Sequence, residues 1–127
     1  MSYTKKNLRE VEDSAVKHGL SETQEARFLR GELGTEQVGA NYLTVKPGRR
    51  EAFAHRHQKA EEIYVVLGGA GRVKLDDEVV ELAELDAVRV APGVTRCFEA
   101  GDEGLEVLVF GARVEGDGEI VKDFWSE

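Results

Sequence analysis

The chain is poor in cysteine, proline and basic charge, and it has no long apolar run. Its single cysteine, Cys97, cannot close an internal disulfide, so a disulfide scaffold is excluded and a reducing compartment suits it. Lysine and arginine number 17 against 25 acidic residues, a net charge of −8, which repels a phosphate backbone unless basic residues gather in one patch. The densest basic stretch, Lys46 to His57, interleaves Arg49 and Arg50 with Pro47, Gly48 and Glu51 and reads as a solvated loop. No nucleic-acid partner is expected. No apolar run reaches the ~18 residues of a membrane span, and Met1 to Glu10 is polar where a signal peptide has an apolar centre. The expectation is a cytoplasmic protein with no membrane partner. The only two prolines each precede a glycine, Pro47-Gly48 and Pro92-Gly93, and mark turns. There is no repeat, linker or low-complexity segment.

What is present is one globular unit. A chain of 127 residues buries one core and has no room for a second, and its 41% hydrophobic and 33% charged content is ordinary for a folded domain. Lys5 to Gly19 has helical character, with Leu8, Val11, Ala15 and Val16 near helical spacing and Gly19 as a stop signal. After Arg27 come short β-prone runs cut by Gly, Pro and Asp: Ala40 to Lys46, Glu62 to Leu67, Gly71 to Leu75, Val79 to Leu82, Ala87 to Val90 and Leu105 to Phe110. Such spacing indicates an all-β sandwich or barrel. Asp76-Asp77 reads as a tight hairpin turn, because aspartate tolerates turn dihedrals and bonds its own backbone.

The chemistry concentrates between Gly48 and Gly69, GRREAFAHRHQKAEEIYVVLGG. His55 and His57 are two apart, so on an extended segment they share a face, and the following strand offers Glu62 on the face of Tyr64 and Val66. Two imidazoles and a carboxylate then converge, a set suited to divalent iron and to manganese, nickel, zinc or copper.

With Gly48, His55, His57, Glu62 and Gly69 in place, the segment resembles the first motif of the cupin superfamily. Glu61 with Gly68 would meet a shorter spacing, but Glu62 immediately precedes the Ile-Tyr-Val-Val-Leu strand, as the family's ligand does. The second motif falls on LDAVRVAPGVTRCFEA, Leu85 to Ala100, in degraded form. Leu85 stands for a glycine, Ala91 for the proline with Pro92 one later, Arg96 for the histidine and Ala100 for the asparagine, while Gly93 keeps its place. The resemblance implies a small single-domain cupin, an all-β jelly-roll-like antiparallel barrel with its core at residues 40–111 and a short N-terminal extension at 1–26. It also implies a barrel cavity with a metal site on His55, His57 and Glu62 that lacks its last histidine.

Arg96 cannot ligate metal, since a guanidinium is not deprotonated in proteins, and it repels a cation in low dielectric. It pairs with Glu62, clamps a ligand's carboxylate or phosphate, or is a solvated or salt-bridged side chain as arginines usually are. Parity along Val94 to Phe98 points Arg96 inward with Phe98 and turns Cys97 away as a small packed residue. Tyr64 and Phe98 either fill the barrel or touch a ligand beside Arg96. Phe124 and Trp125 read as an anchor for the tail on the barrel or a partner subunit. The outer face of Ile63, Val65 and Leu67 suggests a homodimer. Two functions follow: a metal-dependent enzyme on a small molecule, or a non-catalytic binding or sensing barrel. In both, the expected partner is a small-molecule ligand.

Overall fold

A computed structural model describes residues 2–125, and about half of these form strands of one curled antiparallel sheet. The strands are β1 (Gln24–Phe28), β2 (Val38–Val45), β3 (Ala54–His57), β4 (Glu62–Leu75), β5 (Glu78–Leu82), β6 (Ala87–Val90), β7 (Arg96–Ala112) and β8 (Gly118–Val121). The order β1-β2-β7-β3-β8 forms one run, and β4 pairs with β5, β6 and β7. The long antiparallel pair β4 and β7 is the backbone of the barrel, with Tyr64 opposite Val109 and Val73 opposite Phe98. Alternation along these strands turns Tyr64, Val66, Val73, Phe98, Val107 and Val109 into one core with Leu43 and Val45 of β2. This is the cupin-type all-β barrel expected from the resemblance.

The expected strands Glu62 to Leu67 and Gly71 to Leu75 are one strand, bent by register shifts around Gly68 to Gly71. Gly69 makes that bend possible. Its φ is 75°, and a Cβ there would stand 2.0 Å from the Gly104 carbonyl oxygen. Leu85 occupies the same left-handed region, with φ 70°, which explains why a glycine suits the position. The Asp76-Asp77 turn is present, with Leu75 paired to Glu78 and the Asp76 carboxylate accepting the Thr95 amide at 3.0 Å.

The expected helix over Lys5 to Gly19 is broken into a 3-10 turn at Leu8–Glu10 and a short helix α1 at Ser14–Lys17. The Asn7 side chain accepts the amide of Arg9, and that of Asp13 accepts Ala15, so local side-chain bonds replace a continuous helical ladder. Asp13 also accepts the amide of Ala26 at 2.9 Å, tying this segment to β1. A second short helix, α2 (Leu29–Leu33), follows β1. No helix among the described residues is long and apolar enough to cross a membrane.

The tail packs on the barrel through cations. The Arg50 guanidinium lies 4.5 Å from the Trp125 ring centre, and the Lys74 ammonium 4.5 Å from that of Phe124.

Candidate functional site

His55 and His57 project from β3 on one face, their rings 5.2 Å apart and nearly perpendicular. Glu62 opens β4 on the inward face it shares with Tyr64. Glu62 Oε1 lies 3.4 Å from His57 Nε2 and 3.9 Å from His55 Nε2. One donor atom from each residue falls within 4.8 Å of the others, so the three side chains meet at one point. Glu61 points to solvent, where it pairs with Arg89 at 2.6 Å. The second-motif turn is attached to the same strand, because Gly93 donates its amide to the His57 carbonyl at 2.7 Å.

Glu62 is also held by Tyr64, whose hydroxyl donates to its Oε1 at 2.8 Å. Burial pushes the Glu62 carboxyl upward, but the facing His55 and His57 imidazoles and the Tyr64 hydroxyl outweigh it and leave the carboxyl well below the usual range. Tyr64 moves the opposite way. Burial and the neighbouring Glu62 charge push its hydroxyl well above its ordinary value, so it stays a donor.

Two carboxylates that the sequence reading did not single out complete the site. Asp117, 5% exposed, accepts the amides of Lys59 at 2.8 Å and Ala60 at 2.9 Å, and its Oδ2 stands 3.4 Å from His57 Nδ1. His57 Nδ1 is buried and forms no hydrogen bond among the described residues, so the facing Asp117 carboxylate is the group placed to accept its N–H and leave Nε2 to ligate. The donor set, its convergence and this outer carboxylate fit a divalent metal with open coordination positions. Glu51 accepts the Phe98 amide at 2.9 Å, and burial pushes its carboxyl up to about 7 against the Phe98 bond and the Arg96 charge. The sequence signal for Asp117 lies sixty residues from His57 and carries no motif.

Arg96 starts β7 opposite His55 and is fully buried, at 0% exposure. Its Nη2 is 3.8 Å from Glu62 Oε1, its guanidinium lies 5.9 Å from the Tyr64 ring centre, and its three nitrogens form no hydrogen bond among the described residues. It is therefore an inward countercharge to Glu62 and Glu51 and lies outside the cavity surface. Phe98 packs 5.0 Å from the Tyr64 ring, at 1% exposure, within the core. Cys97 faces the other way, under the tail, and burial pushes its thiol up to about 12.

The triad opens on an inner cavity of about 270 Å³, whose walls include Gln24, Leu43, Glu51, Phe53, Tyr64 and Val109. A larger cavity of about 600 Å³ lies beneath the tail, around Cys97 and Trp125, and none of the triad lines it.

The chain is 34% identical to the mannose-1-phosphate guanylyltransferase ManC of Salmonella typhimurium over 64 residues, which are 50% of this chain and 13% of that protein. It thus spans about an eighth of the curated relatives it matches. A cupin protein from Bacteroides fragilis superposes with a TM-score of 0.73 at 22% identity, covering 91% of this chain and 88% of that one. A sugar phosphate isomerase of the cupin superfamily from Silicibacter pomeroyi superposes with a TM-score of 0.73 at 20% identity, covering 94% and 82%. The family model described as Cupin domain matches residues 41–111, the stretch that holds both motifs and the triad, and the chain belongs to the cupin family.

Proposed function

We propose that this cupin holds a divalent transition metal (iron, manganese, nickel or zinc) on His55, His57 and Glu62 and a small organic molecule in the adjoining cavity. The meeting of three ligand atoms within 4.8 Å, at the wall of a 270 Å³ cavity, carries this reading. A bound ion would supply Lewis acidity and open positions for a substrate atom. The chain's own groups do the rest. Glu62 remains a carboxylate, Tyr64 fixes its orientation, Asp117 sets the His57 ring, and Leu43, Phe53 and Val109 exclude water from one side of the ligand. The reading includes a homodimer through the outer face of β4, where Ile63 and Leu67 are each 38% exposed. Elution as a monomer at micromolar protein removes that part.

One observation favours the non-catalytic reading, a binding or sensing barrel without metal. Arg96 already supplies positive charge 3.8 Å from Glu62 Oε1. Elemental analysis after chelator-free purification separates the two. Metal present in wild type and lost in His57→Ala supports the metalloprotein. A wild type that stays empty after incubation with iron, manganese, nickel and zinc salts leaves only the binding barrel.

A further inference from the structure

The triad stands at the junction of two connected spaces that differ in the charged side chains lining them. Beyond the inner cavity, a mouth of about 430 Å³ shares Phe28, Asn41, His57, Glu62 and Val109 with it. The sheet register explains the continuity. Asn41 is opposite Val109 and Gly39 opposite Gly111, and alternate residues share a face, so Leu43, Asn41 and Gly39 form one wall running from core to rim. Along that wall the lining changes from acidic to partly basic. Among the described residues the inner cavity is lined by the carboxyl groups of Glu51 and Glu62 and by no lysine or arginine, while the mouth shares Glu62 and adds Arg30 and Arg113.

Both mouth arginines keep donors to spare. Arg113 uses Nη1 on the Thr35 carbonyl at 3.1 Å. Arg30 contacts Glu115 at 3.2 Å, but the Glu115 side chain is 82% exposed, and such a surface pair is weak enough to yield to a ligand. A guanidinium binds phosphate or carboxylate oxygens through paired N–H groups. An anionic group pointing inward would instead meet no guanidinium or ammonium on the cavity surface among the described residues.

We propose that Arg30 and Arg113 are the oxyanion-binding residues of this barrel, and that its ligand has an uncharged polar end in the inner cavity and a phosphate or carboxylate at the mouth. The inference rests on the reading of the barrel as a ligand site, and it orients the ligand across the triad. It also assigns anion recognition to two arginines with no place in either motif, in preference to Arg96, which is buried and lines neither space.

Calorimetry with two matched sets tests this: mannose, mannose 1-phosphate and mannonate, and glycerol, glycerol 3-phosphate and glycerate. In at least one set an anionic member binds wild type about tenfold tighter than its neutral partner, and the gap narrows as salt screens the exposed charges. Phosphate and carboxylate arms show which oxyanion is preferred. Arg30→Gln with Arg113→Gln closes most of the gap, while Arg89→Gln, at an exposed arginine outside the mouth, leaves it unchanged. Neutral members binding as tightly as anions, or a gap that survives the double variant, overturn the proposal while the cavity remains a ligand site. If no member of either set binds, the ligand-site reading falls and takes the proposal with it.

Discussion

Replacing Glu51 with glutamine removes a charge that the barrel tolerates poorly while keeping an oxygen to accept the Phe98 amide. Burial raises the carboxyl from an ordinary value of 4.5 to about 7, so the native state binds a proton that the unfolded chain releases. The stability tied to that proton is fully present below about pH 4.5 and is lost as pH rises through about 7. At 1.36 kcal/mol per pH unit the whole interval is worth about 3 kcal/mol. Because Glu51 keeps some solvent contact, roughly 2 to 3 kcal/mol is the expected measured span. Glutamine mimics the protonated form at every pH. Urea unfolding of wild type and Glu51→Gln, with EDTA to remove metal linkage, should therefore show nearly constant relative stability below about pH 4.5. Above it the variant gains steadily until about pH 8, where the gain amounts to roughly 10 °C in Tm for a domain of this size. Curves that run parallel across this range would refute the account of Glu51 as a buried, proton-retaining carboxyl.

Asp117→Asn leaves the His57 ring without its carboxylate partner, and metal affinity measured by chelator competition should fall by roughly 10- to 100-fold; unchanged affinity would separate Asp117 from the site. Arg96→His exchanges a buried positive charge beside Glu62 for a ring nitrogen next to His55 on the paired strand, and metal affinity should rise about tenfold in the same competition assay. Equal or weaker binding would show that Arg96 is no obstacle to the ion. Leu85→Gly relieves a left-handed leucine that is 74% exposed and loses little packing, so stability by urea unfolding should rise by up to about 1 kcal/mol. A loss of stability would contradict the strain.

How much could be read before folding depended on the range of the signal. His55, His57 and Glu62 were legible because period-two alternation and one turn place them on a common face within eight residues. The inward direction of Arg96 followed from the same parity. The short strands β1, β3 and β8 (QEARF, AHRH and GEIV) were not legible, since they lack the apolar alternation of a half-buried strand and form because a neighbour offers an edge to pair with. The expected helix near the N-terminus failed for a local reason, the competing side-chain bonds of Asn7 and Asp13.

The sequence by itself determined the family, the barrel and the three converging donors, because these rest on local alternation and on motif residues close in the chain. Only the tertiary structure decided what surrounds them. It brought Asp117 behind His57 from sixty residues away and set Glu51 on the Phe98 amide, within reach of the Arg96 charge. It also buried Arg96 completely and placed Arg30 and Arg113 at the mouth. Those placements depend on which strands pair and in what register, and a nonlocal pairing leaves no period in the chain for a sequence to show.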